Sequence, residues 1–131
     1  MADAAARDTT APPPTPGVTV LVVDDQAPFR SAAKSVVALT PGFTVVGEAK
    51  SGEEAIERVG ELHPQVVLMD INMDGISGIE ATRRITSEHP EIRVILLSTY
   101  NEDDLPSDAL SCGAAAYVHK EMFGPDNLES I

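Results

Sequence analysis

Five short, continuous apolar runs constrain this chain more than any other feature. They occupy 18–23, 43–47, 66–69, 92–97 and 115–118, and stretches with helical spacing separate them. A strand with one wet face alternates apolar and polar residues. An unbroken, β-branched run therefore predicts a strand covered on both faces, as in a parallel sheet. Between the runs, Phe29, Ala33, Val36 and Val37 fall on one helical stripe. Ala55, Val59 and Leu62 make a second, and Leu105, Ala109 and Cys112 make another.

Local chemistry marks where these helices begin and end. Ser51-Gly-Glu-Glu54 and Ser77-Gly-Ile-Glu80 match S-x-x-E, in which hydroxyl and carboxylate satisfy orphan backbone donors reciprocally. Pro28 suits a first helical turn, and His63-Pro64 and His89-Pro90 end the second and third helices. The pattern is five β/α repeats. With short links this predicts an α/β, doubly wound parallel sheet with right-handed crossovers and helices on both faces.

Composition narrows the function. The length of 131 residues suits one domain. Nine Lys+Arg against 21 Asp+Glu give a net charge of −12, which argues against binding nucleic acid or anionic membrane through overall charge. The lone cysteine, Cys112, excludes an internal disulfide or a cysteine-rich zinc site and fits a reducing cytosol; it reads as a small core residue. No apolar run is long enough to span a bilayer. Residues 1–17 hold Pro12, Pro13, Pro14 and Pro16 and no Val, Ile, Leu or Phe, so they read as a disordered tail with polyproline character. Residues 18–131 remain for the folded unit.

In open α/β sheets the functional crevice lies beyond the carboxyl ends of the strands. Asp24 and Asp25 follow the first strand, Asp70 the third, Ser98 the fourth and Lys120 the fifth. Crowded carboxylates repel, and a divalent cation relieves the conflict; all-oxygen donors suit Mg²⁺ or Ca²⁺. A carboxylate can also accept a phosphoryl group whose charge a metal, a lysine and a hydroxyl neutralise. Taken singly, Asp24-Asp25 fits a solvated turn as well as a metal site, Asp70 fits a cap, and Tyr117 fits an ordinary packed aromatic. His63, His89 and His119 read as structural or surface residues, and Glu102-Asp103-Asp104 as a helix start favoured by the helix dipole. No G-x-x-x-x-G-K-[ST] phosphate loop exists in the chain.

The set Asp24-Asp25, Asp70, Ser98 and Lys120 resembles the receiver domain of two-component response regulators, from Val18 to about Met122. Val20-Leu-Val-Val-Asp-Asp25, Leu68-Met-Asp-Ile-Asn-Met73 and Gly113-Ala-Ala-Ala-Tyr-Val-His-Lys120 carry the likeness. The resemblance implies a flavodoxin-like (βα)5 sandwich with strand order 2-1-3-4-5. It makes Asp70 the acceptor of a phosphoryl group from a sensor histidine kinase. It implies Mg²⁺ (or Mn²⁺) on Asp25, Asp70 and the backbone carbonyl of Asn72, with Asp24 acting largely through water. Ser98 and Lys120 would hold phosphoryl oxygens. Tyr117 would be the switch aromatic, turning inward to remodel the face formed by the fourth helix, fifth strand and fifth helix. Asn72 and Tyr100 would tune the phosphoryl lifetime. Asp74 stands where the family commonly has proline and adds a fourth carboxylate near the pocket.

So read, the chain is a cytoplasmic phosphoacceptor switch and not an enzyme beyond its own phosphotransfer and autodephosphorylation. A haloacid-dehalogenase-like phosphatase is disfavoured, because the second aspartate it would need is Asn72. A receiver-shaped binding module that never carries phosphate is the other alternative. Lys120-Glu121 and the 97–103 stretch resemble the NarL/FixJ subfamily, whose receivers usually precede a helix-turn-helix domain. The expected partners are the kinase, a phosphorylation-dependent homodimer, no membrane, and DNA only through a C-terminal domain that this chain lacks. The fifth helix is expected to be short or truncated, as in a chain cut from a longer regulator.

Overall fold

The computed structural model describes residues 17–73, 75–99 and 107–130. In chain order the elements are β1 (Val18–Val23), α1 (Ala27–Ala38), β2 (Phe43–Ala49), α2 (Gly52–Leu62), β3 (Val66–Asp70), α3 (Gly78–Glu88) and β4 (Arg93–Ser98). A 3-10 turn (Ser107–Leu110), β5 (Ala116–His119), a second 3-10 turn (Lys120–Met122) and α4 (Pro125–Glu129) follow. All strand pairs are parallel and the order is β2-β1-β3-β4-β5, the expected 2-1-3-4-5. The order reverses between β1 and β3, which opens a crevice at their carboxyl ends.

Successive side chains on a strand point to opposite faces, and here both faces are dry. Leu21 and Val23, Val67 and Met69, and Val94 and Leu96 join Ala55, Val59 and Ile85 of α2 and α3 in one cluster. Val20 and Val22, Val66 and Leu68, and Ile95 and Leu97 join Ala33 and Val37 of α1 and Leu128 of α4 in the other. The middle positions of the central strands are therefore apolar on both faces.

Several expectations need correction. The fourth repeat shows only the Ser107–Leu110 turn among the described residues, with Cys112 buried beyond it. Gly113, at φ +100°, has a left-handed backbone conformation that a helix cannot continue through. Leu62, at the end of α2, is 39 % exposed rather than part of a buried stripe, with its side chain lying over Gly47 of β2. The S-x-x-E starts form by half. Ser51 and Ser77 accept from the backbone N–H of Glu54 and Glu80, both at 3.1 Å. Glu54, however, turns to the Lys50 N–H at 2.7 Å, and the guanidinium groups of Arg83 and Arg84 draw Glu80 away. The proline tail up to residue 16, the 102–104 acidic run and Leu105 lie outside the described residues, and α4 is five residues long.

Candidate functional site

Asp24, at the end of β1, is fully buried and tethered at every polar atom. Its N–H donates to the Ala49 carbonyl (3.1 Å) and its Oδ1 accepts from the Gln26 N–H (2.8 Å). Its carbonyl accepts from Arg30 Nη1 (2.8 Å), and its Oδ2 lies 2.7 Å from Lys120 Nζ. Asp70 closes β3, nearly buried, with Oδ1 3.4 Å from Lys120 Nζ and 3.4 Å from the Asn72 N–H that donates to it. Asp25 is exposed, yet one ligand atom from each of Asp24, Asp25 and Asp70 falls within a common 4.8 Å. Burial and then the Asp24 charge push the Asp70 carboxyl up from 3.8 to about 6, against the opposing pull of Lys120 and the Asn72 N–H.

Neighbouring elements set this geometry. Lys120 follows β5 directly, and its ammonium sits 4.5 Å from the centroid of the Phe29 ring on α1, a cation–π contact. His119 ties the rim together: Nε2 lies 3.1 Å from the Thr99 carbonyl, and Nδ1 accepts from the Glu121 N–H at 3.1 Å. The Nε2–H tautomer satisfies both bonds. Gly78 opens α3 directly behind Asp70, where any Cβ would overlap the Asp70 carbonyl. Gln26, Phe29, Asp70, Asn72, Thr99 and Lys120 line a cleft of about 250 Å³.

The structure thus brings Asp24, Asp25, Asp70 and Lys120 together and puts Asn72 on the cleft wall. Ser98 is fully buried at the end of β4, paired in register with His119; its neighbour Thr99 is the residue that lines the cleft. Tyr117 is half-buried on β5 and packs against the α2/α3 cluster. Tyr100 and Asp74 lie outside the described residues. Sequence reasoning missed Gln26, Thr99 and Arg30, and it read Phe29 only as part of a core stripe. The spacing Asp25 to Phe29 places that ring one helical turn into α1, facing the rim, but apolar periodicity alone does not separate a rim residue from a core one.

Three carboxylates around one cleft, with Asp70 held high by burial and by its anionic neighbour, make an all-oxygen donor set suited to a hard divalent cation. A doubly wound sheet with an acidic cup and one ammonium at its switch point defines a class of small α/β domain. The comparisons specify it further. Residues 20–131 match the family model described as response regulator receiver domain. The chain is 45 % identical over 114 residues to the response regulator GacA of Pseudomonas viridiflava, covering 87 % of this chain and 53 % of that one. It is 35 % identical over 114 residues to the transcriptional regulatory protein DegU of Brevibacillus brevis, covering 87 % and 48 %. The signal receiver domain of a putative NarL response regulator from Mycobacterium tuberculosis superposes with TM-score 0.81 at 30 % identity, covering 88 % and 94 %. This chain belongs to the response regulator receiver family, and these relatives agree with the NarL/FixJ likeness. It spans about half the length of the curated relatives it matches. Among the described residues no helix is long and apolar enough to cross a membrane.

Proposed function

We propose that this receiver domain accepts a phosphoryl group on Asp70 from a histidine kinase and passes the change to an output partner. The observation that carries this reading is the position of Lys120 Nζ, 2.7 Å from Asp24 and 3.4 Å from Asp70, at the mouth of the acidic cleft. An Asp70 oxygen attacks phosphorus, the P–N bond to the kinase imidazole breaks, and an acyl phosphate forms. With its carboxyl at about 6, Asp70 is mostly ionised at neutral pH and so can act as the nucleophile. Lys120 would leave its carboxylate partners for a phosphoryl oxygen, and Ser98 would supply a hydroxyl to another. Asp25, Asp70 and the Asn72 carbonyl, with Asp24 acting largely through water, would hold Mg²⁺ (or Mn²⁺), which would supply charge neutralisation.

Tyr117 is the candidate relay toward the face around β5, and Asn72, Tyr100 and Asp74 are the candidate tuners of phosphoryl lifetime. Output through DNA requires a further domain, and residues 18–131 constitute the receiver unit in this reading. Beryllofluoride with Mg²⁺, followed by amide NMR, tests the proposal. Saturable shifts around Asp70 and β5 are expected in the wild type and none in Asp70→Asn. A wild type that does not respond leaves the module that never carries phosphate as the better reading.

A further inference from the structure

Arg30 does not line the carboxylate cleft, yet it is the only described side chain bonded to the Asp24 backbone carbonyl (Nη1 to O, 2.8 Å). That carbonyl belongs to the peptide joining Asp24 to Asp25, so whatever holds it sets the plane from which the Asp25 side chain departs. Asp25 itself is exposed and has no hydrogen bond or ion pair among the described residues. Its placement rests on its backbone. The guanidinium is aimed from its other edge: Nε meets Glu48 Oε1 on β2 at 3.1 Å, while Lys34 Nζ takes the second Glu48 oxygen at 2.8 Å. Arg30 is only 15 % exposed, and its planar fork lets one group span both partners.

We infer that Arg30, steered by Glu48, is a positioning residue that presents Asp25 to the cation in this cleft. The inference rests on the metal reading above. Its sign separates it from simple electrostatics. A cation beside an anionic site repels Mg²⁺, so if Arg30 acted by charge alone, removing it would tighten Mg²⁺ binding. If Arg30 positions Asp25, removing it weakens binding, on the order of tenfold as for other residues that orient metal ligands.

Isothermal titration of Mg²⁺ into wild type, Arg30→Ala, Arg30→Lys and Glu48→Gln decides between the two, each protein first verified as folded by its urea transition. Expected are a roughly tenfold weaker Arg30→Ala, partial recovery in Arg30→Lys, and a smaller loss in Glu48→Gln. Glu48→Gln should have no further effect when added to Arg30→Ala. In the metal-free proteins, Arg30→Ala and Glu48→Gln should shift the same Asp25 and Gln26 amide resonances. If Arg30→Ala does not fold, the half-exposed Glu48→Gln carries the test through affinity and amide shifts. Mg²⁺ binding that is unchanged or tighter in the folded variants overturns the inference. A wild type that takes up no Mg²⁺ removes the metal reading itself, and the inference with it.

Discussion

Asp70 is where burial and charge conflict most sharply. Its carboxyl, pushed from 3.8 to about 6, ionises later in the folded chain than in the unfolded one. Between about pH 4 and 6 the folded state therefore binds more protons, and stability falls as pH rises through that window, then levels off. At 1.36 kcal/mol per pKa unit the ionised group costs roughly 3 kcal/mol at neutral pH. Asp70→Asn cannot ionise. In metal-free urea melts it should exceed the wild type above pH 6 by up to about 3 kcal/mol, and the gap should close near pH 4. A variant less stable than wild type at pH 7.5 would contradict this. The motif residues Asp24, Asp25, Asp70 and Lys120 were legible in the sequence because each stands within two residues of the end of an apolar run. Phe29 and Arg30 were not, because their roles depend on how α1 lies against β1 and β2, which no local pattern encodes.

At the scale of elements, the sheet and the first three helices were legible because their signals, continuous apolar strands, the first-turn Pro28 and the two S-x-x-E starts, are local. The helix expected in the fourth repeat falls largely outside the described residues, which show there the Ser107–Leu110 turn and Gly113 at φ +100°. The α3 start shows how an element serves the site. Gly78 lets the helix abut the Asp70 carbonyl, and its own N–H donates to the Ile71 carbonyl at 2.9 Å. Gly78→Ala gains helix propensity but forces the helix or Asp70 aside, an overpacking cost of about 1–3 kcal/mol. A net loss in urea stability is expected, together with weaker Mg²⁺ uptake. Ser51→Ala, which removes the hydroxyl that caps α2, should cost about 1 kcal/mol and leave Mg²⁺ uptake near wild type.

In the whole molecule, the two apolar clusters fix the sheet and the sheet fixes the rim, so the acidic cup is built by folding, with Lys120 set against two of its three carboxylates. Binding and folding must then be linked. A cation that binds only the folded chain stabilises it by RT ln(1 + [L]/Kd), about 2.7 kcal/mol at a hundredfold excess over Kd. The urea midpoint of the wild type should climb with Mg²⁺ concentration by this law. That of Asp70→Asn should climb much less, so the advantage of the metal-free variant narrows or reverses. Raising NaCl at constant Mg²⁺ tests the alternative that a net charge of −12 merely gathers cations over the whole surface. Diffuse attraction is screened within a Debye length of about 8 Å at physiological ionic strength. A site made by three converging carboxylates should retain most of its affinity there. A midpoint shift that NaCl abolishes in wild type and Asp70→Asn alike would assign the effect to the surface and not to the cleft.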